Sequence, residues 1–554
     1  MTSSKSIRDQ FLAYFEGLDH VILPSSSLIP KEDPTLLFSN AGMNQFKPIF
    51  LGTQSAPHHS VATCQKCLRI SGKHNDLENI GYTRRHHTFF EMLGNFSFGG
   101  YFKEHAIEYA WRFVLDSLNL DKERIVVTYY KEDTETADLW RKITGFNSGR
   151  IIPLGKEDNF WSMGETGPCG PCSEIHYYMG SLDHVNEPNL FANRQSEFLE
   201  IWNLVFMEFN KTESGLEPLS KKCIDTGMGL ERVCSIVQNV SSNFETDLFS
   251  PIIEAIEEAS GVRYEPKGFE DQSEKDSASG KINTAFRIVA DHSRAVTFLI
   301  SEGLLPGSDE RQYVLRKLIR RATLFSNKIS PKKLLPAACE AVVRVFKDVY
   351  PEVQRSAELV KTVVNAEVDR FNEIIEDGLK YLKAHIRGSV VTGETAFVLH
   401  DTYGFPIEVT RDVARDLGFV VDEAGFEKHM LEQRARSKSA SKSVYIGIKS
   451  ESSQSEFVGY DNLEADATIL GAQRSSNDTW AITTDITPFY PESGGQVGDK
   501  GELIVDDKVF VVQDTQKIET GIIVHHVRAS VDLEKFLGSK AKLRVDAEFR
   551  NGCC

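Results

Sequence analysis

The residues best suited to chemistry lie in two neighbouring stretches, Cys67-Leu-Arg69-Ile-Ser-Gly-Lys73-His-Asn-Asp-Leu-Glu78 and Arg84-Arg-His-His-Thr-Phe-Phe90-Glu-Met92-Leu-Gly-Asn-Phe-Ser-Phe-Gly99. Basic and imidazole groups are packed between aromatics, with glycines on either side. This is what a site needs to hold a polyphosphate and an aromatic base together. Arginine offers a planar fork to phosphate oxygens, and aromatic faces stack on a base or on another arginine. The same residues would also suit a charged surface hairpin beside an aromatic core, and composition alone leaves both readings open.

Asp225-Thr-Gly-Met-Gly229-Leu-Glu-Arg232 is expected to open a helix containing Val233, Ile236 and Val237. It partly matches a dinucleotide fingerprint, but the third glycine is missing and Arg232 stands near its place, so the match is weak. Close backbone approach at a helix N-terminus still favours an anion there. Further on, Arg311-Gln-Tyr-Val-Leu-Arg316-Lys-Leu-Ile-Arg320-Arg-Ala-Thr-Leu-Phe325 puts Arg316 and Arg320 on one helical face, with Lys317 and Arg321 beside them. Val314, Leu315, Leu318 and Ile319 are expected to pack inward. No carboxylate interleaves with these cations along the sequence, which favours a phosphate-backbone contact over an ordinary solvated face. Cys64-x-x-Cys67 and Cys169-x-x-Cys172 could together make a four-thiolate zinc site, but each pair sits in a stretch with another explanation, and zinc is not expected.

The elements that position these groups fit a chain of 554 residues, too long for one core and compatible with about three to four domains. Hydrophobic residues at 41% and charged residues at 26% are an ordinary globular composition. A net charge of −17 argues against non-specific binding to nucleic acid over the whole surface, though not against a local basic stripe. There is no apolar run of membrane-spanning length and no signal peptide, so a cytoplasmic protein with free thiols is expected.

Residues 6–18 have the period of an amphipathic helix, with Ile7, Phe11, Leu12 and Phe15 on one face. Leu36 to Phe46 suggests a strand passing into a helix. Two strands joined by a long polar loop should carry the Arg69–Gly99 region, followed by a helix from Tyr101 to about Leu118. Residues 124–130 and 200–209 are expected strands, and 159–174 a loop broken by glycine and proline. The strands lack a parallel βαβ rhythm, so an α+β fold with an antiparallel sheet flanked by helices fits best. Residues 265–281 and 434–456 are expected linkers; from Phe286 to about Leu382 the pattern is helical. Beyond the second linker, strand-like runs divided by turn residues, such as Asp506-Asp507, predict a small β-barrel.

Several of these stretches carry a resemblance to the alanyl-tRNA synthetase family of class II aminoacyl-tRNA synthetases. They are Asp33 to Phe46, Gly72-Lys-His-Asn-Asp-Leu-Glu78, His86 to Phe98, Gly167-Pro-Cys-Gly-Pro-Cys172, Asp225 to Arg232, Asp401-Thr-Tyr-Gly-Phe-Pro406 and Pro491-Glu-Ser-Gly-Gly-Gln-Val-Gly-Asp499. The resemblance covers nearly the whole chain in order. It implies activation of alanine by ATP, with substrate-bound Mg2+, to alanyl-adenylate and pyrophosphate, then transfer of alanine to the 3′ end of tRNA(Ala). By the same resemblance, Arg69 should grip the α-phosphate, Lys73 should add positive charge, and Gly229 and Arg232 should hold the nucleotide. Phe90 or Met92 should cover the base. Asp225 should bind the ammonium of alanine, with Trp161 and Val205 walling its side-chain pocket. The implied division is an adenylation domain at 1–245, a helical acceptor-stem domain at 246–450 and a β-barrel at 451–554.

The match departs from the family in two places. Ser308 stands where the family's acceptor-stem reader is an asparagine, in Pro306-Gly-Ser308-Asp-Glu-Arg311-Gln-Tyr313, while Asp401 matches the second reader. Serine reaches less far, which weakens direct readout of the acceptor stem. No His-x-x-x-His motif follows the barrel, so the chain is expected to lack the family's zinc-bearing editing domain and proofreading in cis. The alternative is a non-catalytic paralogue that binds tRNA or alanine; a generic nucleotide-dependent ligase would have no use for the arginine-rich helix.

Overall fold

The computed structural model describes residues 2–30, 33, 36–70, 76–266, 277–308, 310–386, 389–433, 455–459, 462–474, 479–491, 498–517, 522–547 and 549–550. They form two compact units, one of residues 1–391 with 398–420 and the other of residues 392–397 with 421–554.

The first unit begins with the expected amphipathic helix, α1 (Ser4–Glu16), capped by the Ser3 side chain accepting from the Ser6 N–H, with Ile7, Phe11 and Phe15 buried. Its sheet has nine strands: β1 (Val21–Ile22), β2 (Ser60–Leu68), β3 (Phe89–Ser97), β4 (Ile125–Tyr130), β5 (Ile151–Leu154), β6 (Phe160–Ser162), β7 (Gly167–Tyr178), β8 (Phe198–Thr212) and β9 (Gly215–Gly229). Their order is β1-β2-β3-β9-β8-β7-β4-β5, with β6 added beside β7. The centre is antiparallel, as the sequence suggests, but the two ends are not: β1 runs parallel to β2, and β4 parallel to β5. Parallel neighbours need a crossover. After α2 (Lys103–Arg112), α3 (Thr134–Thr144) supplies one between β4 and β5, entered through an Asp133 cap and left through Gly145 at φ 71°.

Three local expectations are corrected. The stretch 159–174 is not a loop but β6 and much of β7. Gly170 makes this workable, because a Cβ there would lie 1.9 Å from the Phe206 carbonyl oxygen, and the register slips between Cys169 and Cys172 where Pro171 has no N–H to give. The described residues from Leu36 form no strand, since two single backbone bonds hold Ser39 to Leu28 and Leu68; the expected helix is present as a 3₁₀ segment, Gly42–Phe46, running into a short α-helix, Lys47–Phe50. Asp225 to Gly229 ends β9 rather than opening a helix, and α4 begins at Leu230 (Leu230–Val237).

From Phe286 the chain is helical as expected, but the first helix beyond α5 (Ser250–Ser260) already begins inside the expected 265–281 linker: α6 (Ala278–Ser301), α7 (Glu310–Ile329), α8 (Leu334–Phe346) and α9 (Ala357–His385), with α10 (Ile407–Asp416) later in the same unit. From Asn283 to Ile300 every residue of α6 is buried, so this stretch of the helix has no solvent face. Cys64 and Cys67 lie on β2 and Cys169 and Cys172 on β7, with β3, β9 and β8 between. Four strand spacings amount to roughly 19 Å, which rules out one site made of both pairs. Among the described residues no group of three or more His, Cys, Asp or Glu is arranged to hold a metal, and no helix is long and apolar enough to cross a membrane.

The second unit contains the expected barrel: β10 (Glu464–Arg474), β11 (Thr479–Thr484), β12 (Gly501–Val505), β13 (Lys508–Lys517), β14 (Ile523–Arg528) and β15 (Lys540–Val545) close in the order β10-β11-β14-β13-β12-β15. Asp506 and Asp507, at φ 48° and 60°, form the two-residue turn of the β12–β13 hairpin, where acidic or amide side chains tolerate the left-handed region. Of the expected linker at 434–456, residues 434–454 lie outside the described residues, and Glu456 opens a short strand, Glu456–Phe457.

Candidate active site

Side chains alternate across a strand, so one face of the sheet collects every second residue. On that face β3 offers Phe90 and Met92, β9 offers Asp225, Gly227 and Gly229, β8 offers Ile201, Asn203 and Val205, and β7 offers Glu174. Together with Arg69, Trp161 and Arg232 they line a cleft of about 310 Å³, within the size range of ligand pockets. The two glycines of β9 keep its floor open, and Met92 fills the space where a Gly227 side chain would be, its sulfur 2.7 Å from the added Cβ position.

Asp225 is the electrostatic centre of this floor. It is buried and is a Cα partner of Val205 on β8 and of Phe96 on β3, and its carboxylate has no hydrogen-bond or ion-pair partner among the described residues. Burial alone pushes its carboxyl up to about 7. A carboxylate in that position is stabilised by any cation that reaches it.

Two arginines flank the floor. Arg69 follows β2, with its guanidinium 5.0 Å from the Phe90 ring centroid and its Nε donating to the Asn40 carbonyl at 3.2 Å. Arg232, in the first turn of α4, donates from Nη1 to the Glu200 carbonyl and carboxylate, both at 2.9 Å. Burial would raise the Glu200 carboxyl, but Arg232, His176 and Arg69 outweigh it and hold it at about 2. Glu174 goes the other way, raised by burial and by the charge of Glu200. His86, also on the cleft, is pushed down to about 3 by burial, Arg232 and Arg85, so it is a neutral imidazole at neutral pH, 2.8 Å from the Thr83 hydroxyl.

The fold thus brings together Arg69, Phe90, Met92, Trp161, Val205, Asp225, Gly229 and Arg232; Lys73 lies outside the described residues. Sequence reasoning gave no role to Arg85, His86, Glu174 or Glu200. The signal available was a carboxylate at the edge of an apolar strand run, as in Leu199-Glu-Ile-Trp202, since such residues are rarely buried without a task.

The remaining candidates sit elsewhere in the helical part. Ser308 and Asp401 are exposed, and the Tyr313 ring stands 6.0 Å from that of His400, next to Asp401. The arginine stripe requires correction. Arg320 is buried, pairs with Glu367 at 2.7 Å and donates to the Gly404 carbonyl; Arg321 is buried against Asp412; Lys317 pairs with Glu408. Arg316 reaches Glu367 at 3.8 Å. Arg311 donates to the carbonyls of Leu37, Leu36 and Pro30, holding a loop. Carboxylates missing from the stripe's own sequence arrive from α9 and α10.

Comparison with known proteins places this geometry in context. The family described as tRNA synthetases class II (A) matches residues 6–549. The chain is similar to an alanine–tRNA ligase of Nitrosomonas europaea, with 43% identity over 98% of this chain and 62% of that protein. It is similar also to an alanine–tRNA ligase of Nitrosospira multiformis, with 44% identity over 94% of this chain and 60% of that protein. The chain therefore spans about three fifths of the length of the curated relatives it matches. Among solved structures, a pyrrolysyl-tRNA synthetase from Desulfitobacterium hafniense aligns at 9% identity and a TM-score of 0.24 over 44% of this chain and 73% of that one.

Proposed function

The chain belongs to the class II (A) tRNA synthetases, and we propose that it is an alanine–tRNA ligase chain whose cleft forms alanyl-adenylate. The observation that carries this is Asp225: a buried carboxylate with no side-chain partner among the described residues, beside Val205 on a floor flanked by two arginines. The ammonium of alanine satisfies Asp225. Its methyl group then meets the apolar wall of Val205 and Trp161. Phe90 offers a stacking face already shared with Arg69, and Met92 serves as packed floor.

In this reaction the alanine carboxylate oxygen attacks the α-phosphorus of ATP in line, a P–O bond forms, and the bond to the β-phosphate oxygen breaks to release pyrophosphate. Arg69 neutralises charge on the α-phosphate, and Arg232 and Gly229 orient the nucleotide. Catalysis of this kind is positioning and electrostatics without a covalent enzyme intermediate. Glu174 and Glu200 are hard oxygen donors at the cleft, suited to Mg2+ held chiefly by phosphates and water, which would neutralise the departing pyrophosphate. The terminal ribose hydroxyl of tRNA(Ala) then attacks the adenylate carbonyl and expels AMP.

The domain assignment we propose is adenylation at 1–245, acceptor-stem binding at 246–450 and a barrel at 451–554. Ser308 and Asp401 are the exposed candidates for the acceptor stem, with Arg316 at their margin. Arg311 is reassigned to holding the backbone at Pro30, Leu36 and Leu37, and Arg320 to holding the helical part together.

The test is amino-acid-dependent exchange of pyrophosphate into ATP, run with alanine, glycine and serine. Exchange strongest with alanine is expected. Absence of exchange with all three, in a chain that still binds tRNA, would favour a non-catalytic paralogue.

A further inference from the structure

Helix α6 carries Arg287, Asp291, His292 and Arg294 within a segment buried on every side. Charges in such a place are costly unless each has a partner, and apolar residues would have packed the helix at lower cost. The partners lie behind the cleft. Asp291 accepts from the Thr88 N–H at 3.1 Å, from the Thr88 hydroxyl, from His87 Nδ1 at 3.2 Å and from His292 Nδ1 at 3.0 Å. One turn on, Arg294 donates to Glu231, its guanidinium 4.3 Å from the Phe249 ring centroid and 5.2 Å from that of Phe89. Residues three apart share a helix face, so both ties leave α6 on the same side.

Each tie ends beside one of the two cleft arginines. The Thr88 carbonyl accepts the Arg69 backbone N–H at 2.9 Å. Glu231 directly precedes Arg232 and also accepts the Glu91 N–H, at 3.3 and 3.2 Å, fastening α4 to β3. Apolar adhesion is already supplied by Phe298 of α6, stacked on Phe89 at 4.2 Å. A stacked ring pair leaves rotation and sliding soft, whereas directed charged hydrogen bonds fix them. Behind Asp291, the His292 ring nitrogen Nε2 lies 3.1 Å from Arg321, which is paired with Asp412 of α10. The carboxylate is thus held from both sides.

We propose that Asp291 and Arg294 are positioning residues that set Arg69 and Arg232 at the separation a nucleotide requires. Neither lines the cleft. The proposal rests on the adenylation reading given above, but its primary readout is ATP binding, which does not depend on which amino acid is activated.

The experiment compares Asp291→Asn, Arg294→Lys and Thr88→Val with the parent chain, in the same full chain. ATP affinity is measured by titration calorimetry at a temperature where circular dichroism shows each protein folded, and KM values come from pyrophosphate exchange. Expected are a roughly tenfold weaker ATP Kd for Asp291→Asn and Arg294→Lys, a roughly threefold weaker one for Thr88→Val, and an alanine KM within about twofold of the parent, since the first two remove the charge or the planar fork on which a whole tie depends, whereas Thr88→Val removes one of several hydrogen bonds to Asp291. Combining Asp291→Asn with Arg69→Lys should weaken ATP by less than the product of the single effects. An unchanged ATP Kd in folded variants overturns the proposal, as does a fully multiplicative double variant or equal losses toward ATP and alanine. Should Asp291→Asn not fold, Thr88→Val decides alone, because it removes one hydroxyl and little volume. A parent chain that binds ATP without any exchange would sink the adenylation reading while leaving this test intact.

Discussion

Val205 and Asp225 are Cα partners on adjacent antiparallel strands, so an apolar wall and a buried carboxylate stand side by side on one sheet face. Side chains so paired are about 5 Å apart at Cβ, which suits an amino acid whose ammonium and side chain leave the same carbon.

Asp225→Asn should therefore raise the alanine KM by roughly 10- to 100-fold, the loss expected for one charge-assisted hydrogen bond of about 1.5–3 kcal/mol, with the ATP KM little changed. Pyrophosphate exchange with each substrate varied in turn checks the split. A comparable loss toward ATP would count against an ammonium site.

The same carboxyl makes stability depend on pH in the absence of ligand. Its folded value of about 7 lies above the model-compound value of 3.8, so the folded state binds the proton more tightly than the unfolded one. The associated stability is fully present below about pH 4 and is lost as pH rises through about 7. Asp225→Asn removes the charge that must be buried at high pH, so its Tm should exceed the parent's by a few degrees at pH 8. Scanning calorimetry should show the gain shrinking toward pH 4.

Phe90 and Met92 project from the same strand but differ in surroundings. Phe90 lies under Arg69, while the Met92 sulfur accepts from the Gly42 N–H at 3.3 Å and packs on Gly227. Phe90→Leu should weaken ATP several-fold through loss of stacking worth about 0.5–1.5 kcal/mol, and Met92→Leu, a volume-conserving swap, should leave the ATP KM within about twofold. The reverse order would make Met92 the residue that covers the base.

Gly170→Ala is expected to be among the most damaging single changes in the sheet. Its Cβ would overlap the Phe206 carbonyl oxygen, and no flexible side chain is there to yield. β7 and β8 would have to separate, so a loss of more than about 3 kcal/mol in denaturant unfolding, or insoluble protein, is expected.

Arg320→Ala should act on stability before it acts on RNA. Removing one partner of a buried ion pair costs about 3–5 kcal/mol, and Glu367→Ala should cost a comparable amount because it strands the same guanidinium. Thermal denaturation of both single variants and the double variant should reveal coupling. Additive losses, together with weakened tRNA binding for Arg320→Ala alone, would restore Arg320 as an RNA contact.

Much of the site was legible along the chain because its parts are local. Basic and aromatic residues of Arg69 to Gly99, the Asp225 to Arg232 run and the Asp506-Asp507 turn reflect strand period and turn chemistry, which act between near neighbours. The sequence alone also determined the helical middle and the barrel. It misjudged 159–174, where glycines and prolines read as breakers: Gly170 serves a close approach to Phe206, a residue 36 positions later in the numbering, which no local window contains. It misjudged the arginine stripe for the same reason, since Glu367 and Asp412 answer Arg320 and Arg321 from separations of 47 and 91 residues. Only the tertiary structure decided which cations are spent inside the fold, which carboxylate has no side-chain partner among the described residues, and that one turn of α6 stands behind both cleft arginines. Patterning specifies which face of an element is buried; the partner that neutralises a buried charge is chosen by the packing of distant elements, where desolvation makes each charge depend on the group placed against it.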